Sequence, residues 1–85
     1  MAKYSVEFRH SVEKDLRRIP ERDRVRILKR IALLEDEPRP SGCTKLSGRE
    51  RYGLRQGNYR ILYEIEDGKL IVVVVKVGNR RDVDD

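Results

Sequence analysis

A single stretch decides the fold of this chain: Arg51-Tyr-Gly-Leu-Arg-Gln-Gly-Asn-Tyr-Arg-Ile-Leu-Tyr-Glu-Ile65. Apolar and polar residues alternate along both halves of it, which is typical of strands that each bury one face. Gln56-Gly57-Asn58 between the halves has the residue types of a tight turn. The stretch therefore predicts a β-hairpin. Its core face should carry Tyr52, Leu54, Tyr59, Ile61, Tyr63 and Ile65, and its other face should carry Arg51, Arg55 and Arg60.

The chain beyond this hairpin predicts one more strand. Asp67-Gly68 favours a two-residue turn in which both residues have positive φ. The run from Leu70 to Val75 is wholly apolar, as expected of a central strand that helices cover on one side and that is partly sheltered on the other. The strand should end within Val77-Gly78-Asn79-Arg80-Arg81.

The chain before the hairpin begins with a strand and a short helix. Residues 4–9 alternate between apolar and polar, which predicts a half-buried strand. The side chains expected to point inward are Tyr4, Val6 and Phe8. Ser11 is the expected N-cap of a short amphipathic helix, and Pro20 should terminate this helix at Arg18 or Ile19.

A second, longer helix should start at Pro20, where the missing amide hydrogen costs nothing. Its apolar stripe consists of Val25, Ile27, Leu28, Ile31, Ala32 and Leu34. Residues 37–42 contain two prolines and a glycine, so the helix should give way to a loop. The order β-α-α-β-β-β predicts an α+β fold, in which an antiparallel sheet has a helical hairpin packed on one face.

Length and composition limit the organisation of the protein. A chain of 85 residues supports one hydrophobic core, so residues 1–85 should form a single domain. It contains no run of about 18 apolar residues and no apolar core of a signal peptide, so we expect no membrane association and a cytoplasmic location.

The residue inventory also constrains the chemistry. Cys43 is the only cysteine and His10 the only histidine, which leaves no ligand set for a zinc site. We therefore expect chemistry without a metal or another cofactor. The net charge is +5, and residues 45–81 contain nine basic residues against four acidic ones. This segment predicts an anionic partner.

Several segments together resemble the RelE/ParE toxin superfamily, and its RelE branch in particular. They are Lys45-Leu46-Ser47-Gly48, Tyr52-Gly53-Leu54-Arg55, Gly57-Asn58-Tyr59-Arg60 and Val77-Gly78-Asn79-Arg80-Arg81. The resemblance spans nearly the whole chain. It implies a RelE-like fold and the toxin of a type II toxin–antitoxin pair. It also implies a metal-independent endoribonuclease that enters the ribosomal A site and cleaves messenger RNA by attack of the 2′-hydroxyl. A cognate RelB-like antitoxin would neutralise the toxin in a hetero-oligomeric complex.

The resemblance carries over to individual residues. It implies that Arg60 and Arg80 stabilise the scissile phosphate and that Arg51 is a basic catalytic residue. The residues expected to contact the RNA backbone are Arg55, Arg81, Lys45 and Arg49. Arginine suits these roles because its guanidinium stays charged and can bind two phosphate oxygens at once. The alternative for Arg60 is an ion pair with Glu64 or Glu66, and the alternative for Arg55 is an ion pair with a carboxylate.

Two positions depart from the family pattern, and other interpretations remain open. Gly53 stands where members can carry a second basic residue, and Asp84 stands where many carry a tyrosine. The remaining candidates for proton transfer are Glu50, Tyr52, Asp84 and Asp85. One alternative is a ParE-like poison of DNA gyrase that cuts no RNA. Another is a catalytically weakened member that retains only antitoxin or RNA binding.

Overall fold

The central hairpin forms the middle of a five-stranded sheet in a computed structural model that describes residues 3–46 and 50–83. The strands are β1 (Ser5–Phe8), β2 (Thr44–Lys45), β3 (Arg51–Gln56), β4 (Tyr59–Glu66) and β5 (Ile71–Asn79), and the helices are α1 (His10–Arg17) and α2 (Glu21–Ala32). The strands lie in the order β1-β5-β4-β3-β2. The predicted α+β fold is confirmed, and it has one extra short strand, β2.

The sheet is mixed because its first strand runs parallel to its last. Val6 lies opposite Val72 in this pairing, whereas β2–β3, β3–β4 and β4–β5 are antiparallel. The sequence indicated an antiparallel sheet throughout. Alternation of apolar residues specifies which side chains face the core, but it does not specify the direction of a neighbouring strand.

One hydrophobic core lies between the sheet and the two helices. Its buried residues are Val12, Ile19, Ile27, Ile31, Leu34, Tyr52, Leu54, Ile61, Tyr63, Ile65, Val72, Val74 and Val77. Tyr59 packs against this cluster, half-buried. The predicted core face of the hairpin is therefore correct. On β5 the buried residues are spaced by two and then by three, because the strand contains a bulge opposite Leu62 and Tyr63.

Four residues predicted to point inward are exposed instead, namely Phe8, Val25, Leu28 and Ala32. The exposed fraction is 43% for Phe8, 43% for Val25 and 38% for Leu28. Phe8 is the last residue of the outermost strand, so no further strand covers it. The buried residues of α2 are Ile27 and Ile31, which are spaced by four residues. The predicted apolar stripe is therefore wider than the part of the helix that is buried.

The predicted start of α1 at a Ser11 N-cap is wrong. The helix begins at His10, and Arg9 occupies the N-cap position without a side-chain capping bond. The Arg9 amide donates to the Val74 carbonyl at 2.9 Å. The backbone of Arg9 therefore still belongs to the sheet, and the strand leads directly into the helix. The helix ends at Arg17, one residue before the predicted end.

The two hairpin turns differ from each other. Gly57 has φ of +61°, and Gln56 lies opposite Tyr59. The turn predicted at Gln56-Gly57-Asn58 is therefore present, and it consists of the two residues Gly57 and Asn58. The second turn is a short 3₁₀ segment, Asp67–Lys69, and the residue with positive φ is Leu70 at +55°. The predicted turn with positive φ at Asp67 and Gly68 is therefore wrong.

In the described part of the chain, no helix has the length and apolar character needed to cross a membrane.

Two adjacent leucines provide a matched test of the core. Leu34 is fully buried and Leu33 is 58% exposed. Leu34→Ala should lower the free energy of unfolding by about 2–5 kcal/mol, because it leaves a cavity in the core. Leu33→Ala should change it by no more than about 0.5 kcal/mol. Urea unfolding followed by circular dichroism measures both, and equal losses would contradict this packing.

Candidate functional site

The side of the hairpin that faces away from the helices carries the predicted arginines. We call it the arginine face, defined by Arg51, Arg55 and Arg60. Arg51 lies opposite Glu64, and Arg55 lies opposite Arg60. Because cross-strand partners project from the same side of a sheet, the structure brings all three arginines onto one surface.

Arg55 and Arg60 form the most cationic part of the arginine face. They occupy directly opposite positions on β3 and β4, Arg55 exposed and Arg60 half-buried. Guanidinium groups bind phosphate oxygens in pairs, so a surface that carries both arginines is suited to binding phosphate.

Arg80 joins this end of the hairpin from β5. Its amide donates to the carbonyl of Asn58 at 2.9 Å, so the segment after β5 is attached to the β3–β4 turn. The Arg81 amide donates to Oδ1 of Asn79 at 3.1 Å. Asn58, Asn79, Arg80 and Arg81 line a cavity of about 260 Å³. Both arginines are exposed, and the cavity lies next to the β3–β4 turn.

Arg51 is engaged in an ion pair at the other end of the face. Its Nε and Nη2 donate to Oε2 of Glu64 at 3.1 and 2.7 Å. Oε1 of the same carboxylate accepts from Nη2 of Arg9 at 3.3 Å. Glu64 thus bridges two guanidinium groups and holds Arg51 against the sheet. The structure shows Arg51 as one member of a charge network.

A small apolar cluster separates the two cationic ends. Leu62 is buried on the arginine face, between Leu46 and Val83, and Val75 packs against the cluster. A Cβ added at Gly78 would come within 2.8 Å of Val83, so the absence of a side chain there allows Val83 to lie against β5. These residues form a small second hydrophobic cluster, the apolar floor of the arginine face.

Lys45 lies apart from the arginine face. It pairs with Tyr52, a core-facing residue, and its Nζ donates to Glu50 at 3.0 Å. Glu50 also accepts from the hydroxyl of Tyr52 at 3.1 Å. Two of the proton-transfer candidates, Glu50 and Tyr52, are therefore on the helix side of the sheet. Arg49, Asp84 and Asp85 lie outside the described residues.

The cluster around Lys45 is centred on Arg39, which sequence reasoning missed. Arg39 Nη1 and Nη2 donate to the two carboxylate oxygens of Asp67 at 3.2 and 2.9 Å, and its Nε donates to the Tyr52 hydroxyl at 3.0 Å. Tyr4 also donates to Asp67, at 2.7 Å. These bonds connect the loop after α2 with β1, β3 and the β4–β5 turn.

Burial and charge account for the pKa shifts in this cluster. Hydrogen bonds from Arg39 and then from Tyr4 lower the pKa of Asp67, and the bond to Asp67 raises the pKa of Tyr4. Hydrogen bonds from Lys45 and Tyr52 lower the pKa of Glu50. Burial raises the pKa of Tyr63, whose hydroxyl donates to the Pro38 carbonyl at 2.8 Å. All these shifts favour the charge states present at neutral pH.

The Arg51–Glu64 ion pair and Arg39 were both missed, and the sequence signalled the first better than the second. Counting back from the Gly57-Asn58 turn places Arg51 opposite Glu64, so this ion pair could have been found from the hairpin alone. Arg39 lies in an aperiodic loop between two prolines. Its partner Asp67 is far along the chain, and no local pattern connects them.

Comparisons with known proteins identify the family of this chain. Residues 6–83 match the family described as the ParE toxin of the type II toxin–antitoxin system parDE. The RelE/ParE toxin superfamily includes this chain. Toxin RelG of Mycobacterium tuberculosis is 33% identical over 83 residues, which cover 94% of each chain. The chain is therefore a type II toxin–antitoxin toxin of the RelE family.

Solved structures of RelE proteins share the fold. The toxin in the RelBE2 toxin–antitoxin complex from M. tuberculosis is 29% identical with a TM-score of 0.79, over 92% of this chain and 99% of that chain. The archaeal RelE–RelB complex from Pyrococcus horikoshii is 26% identical with a TM-score of 0.81, over 98% of this chain and 100% of that chain. This RelE-family chain therefore has the fold of toxins that have been seen bound to RelB.

Acid titration should expose the role of Asp67. Because its pKa is lowered on folding, its ionised form stabilises the fold above the unfolded-state pKa of about 3.9. That contribution is lost as the pH falls through the folded-state pKa. Asp67→Asn should therefore reduce stability at pH 7 and remove part of the acid-dependent loss.

The measurement is urea unfolding from pH 7 to pH 2.5. The control is Asp36→Asn, because the Asp36 carboxylate has no hydrogen bond or ion pair within residues 3–46 and 50–83. If both variants followed the same pH curve as the parent, the Asp67 network would have no part in acid stability.

Proposed function

We propose that this RelE-family toxin is a ribosome-dependent endoribonuclease that cleaves messenger RNA in the A site. The observation that carries the proposal is the opposed pair Arg55 and Arg60, with Arg80 attached next to it through Asn58. Arg55, Arg60 and Arg80 together form a cationic surface suited to a phosphodiester. The cytoplasm, where ribosomes translate, is the proposed site of action.

The chemistry requires stabilisation of negative charge. The RNA 2′-hydroxyl loses its proton and attacks phosphorus, a bond forms from the 2′-oxygen to phosphorus, and the bond to the 5′-oxygen breaks. The 5′-oxygen then takes up a proton, and the products are a 2′,3′-cyclic phosphate and a 5′-hydroxyl. The phosphorane between these steps carries more negative charge than the substrate, and fixed cations stabilise it preferentially.

The arginines have different proposed roles. Arg60 and Arg80 would bind the phosphorane oxygens, and Arg55 and Arg81 would bind the neighbouring backbone phosphates. Arg51 would contribute positive charge from a fixed position, since it is ion-paired with Glu64, which also binds Arg9. Arg49 and Lys45 remain proposed RNA contacts, and Lys45 lies on β2. This mechanism assigns charge stabilisation to protein side chains and needs no metal.

A RelB-like antitoxin is the proposed partner that holds the toxin inactive. Solved relatives from M. tuberculosis and P. horikoshii are toxin–antitoxin complexes of this type. The strongly basic segment from residue 45 to residue 81 favours an acidic partner. We propose that the two proteins form a hetero-oligomeric complex.

Loss of Arg60 tests the mechanism. Arg60→Ala should reduce ribosome-dependent cleavage by about 100-fold to 1,000-fold, as expected for removal of one preorganised charge-stabilising donor. Growth arrest on expression without antitoxin should disappear. Primer extension of transcripts and colony counts measure the two effects.

The matched control is Arg26→Ala, which removes an exposed arginine from α2 on the other side of the sheet. It should leave cleavage and growth arrest unchanged. An Arg60→Ala protein as toxic as the parent, at equal expression, would rule out this mechanism.

A second candidate function is poisoning of DNA gyrase, which the match to the ParE family favours. The RelE relatives favour RNA cleavage instead. Growth arrest with intact transcripts and stalled replication would select gyrase. A third candidate, a weakened member that binds antitoxin or RNA without cutting, is motivated by Gly53. Harmless expression with tight antitoxin binding would select it.

A further inference from the structure

The guanidinium group of Arg60 lies directly above Gly53 on the arginine face. A Cβ built on Gly53 would be 2.9 Å from Nε, 3.0 Å from Nη2 and 3.4 Å from Cζ of Arg60. No side chain could share this space with the guanidinium in its present position. Gly53 is itself buried, although it lies on an outward-facing surface.

The contact is diagonal across the hairpin. The direct cross-strand partner of Arg60 is Arg55, whereas Gly53 lies opposite Leu62. The side chain of Arg60 therefore extends along the sheet, away from the Gly57-Asn58 turn and across to β3. Its guanidinium rests on the backbone of Gly53.

Backbone conformation does not account for a glycine at this position. The glycines with positive φ in the described part of the chain are Gly42 and Gly57, and Gly53 has the ordinary conformation of a strand residue. Glycine weakens a strand interior relative to alanine, since it loses more conformational freedom on folding. A side chain at position 53 would instead remove the space that the Arg60 guanidinium occupies.

We propose that Gly53 is a positioning residue that fixes the Arg60 guanidinium for phosphate binding. This inference rests on the proposed function, because Arg60 is the arginine assigned there to the scissile phosphate. The space above residue 53, where a basic side chain could otherwise stand, is occupied by the cation of Arg60. Gly53 thus places positive charge in the middle of the arginine face without supplying a charge of its own.

Gly53→Ala tests the proposal because it adds only one methyl group. To reach ordinary van der Waals contact at about 3.5 Å, the guanidinium must move by roughly 0.6 Å from its present 2.9 Å separation. A misplacement of about 1 Å in a catalytic group can lower the rate by about 100-fold. We expect kcat/KM for ribosome-dependent cleavage to fall by about 10-fold to 100-fold.

Two further measurements do not depend on cleavage. The ¹H–¹⁵N guanidinium signal of Arg60 should shift in Gly53→Ala, because the added methyl group displaces the guanidinium from its position above residue 53. Affinity for a non-cleavable 2′-O-methyl RNA should fall to about the level of Arg60→Ala. The double variant Gly53→Ala with Arg60→Ala should match Arg60→Ala alone. The control is Gly68→Ala, since a Cβ there meets no atom within 4 Å.

The outcomes separate the two proposals. If the parent cleaves and Gly53→Ala cleaves equally fast, the positioning role is wrong and the proposed function stands. If the parent does not cleave, while Gly53→Ala moves the Arg60 signal and weakens RNA binding, the positioning role stands and the proposed function fails. An unmoved Arg60 signal, or a large loss of folding stability in Gly53→Ala, would overturn the positioning role. The latter result would mean that the backbone moves instead of Arg60.

Discussion

The pairing of β3 with β4 is the constraint on which the rest of the structure depends. The two-residue turn at Gly57-Asn58 fixes this pairing, and Gly57 supplies the positive φ that the turn requires. A shift of one residue would exchange the faces of a strand, so Arg60 would point into the core and Ile61 into solvent. The same turn also accepts the amide of Arg80. It therefore aligns the core, the arginine face and the end of β5 together.

The two ends of the arginine face differ in the charges that lie opposite each other across the strands. At one end Glu64 lies between Arg9 and Arg51 and neutralises much of their charge. At the other end Arg55 and Arg60 oppose each other across the strands. The buried cluster around Leu62 lies between the two ends. An arginine whose position is restricted before binding loses less freedom when it binds an anion.

Local patterns in the sequence predicted most of the fold and part of the site. The alternation around Gly57-Asn58 gave the correct strands, core face and arginine face, since each depends on neighbouring residues. The parallel pairing of β1, the exposure of Phe8 and the Arg39–Asp67 bonds depend on residues far apart in the chain. The start of α1 was missed for the same reason, because the Arg9 amide is bonded to β5. Alternation, caps and turns carry no information about such partners.

The parallel pairing of β1 with β5 affects the order in which the protein folds during synthesis. Ser5 to Phe8 are made early in synthesis, but their partners Ile71 to Val74 are made near the end of the described chain. Until then β1 has no neighbour, and such non-local pairing slows folding. A nascent chain that stops before Ile71 lacks both the strand that joins β1 to β4 and the proposed phosphate-binding residue Arg80. The cationic surface therefore assembles only after β5 and Arg80 have been made.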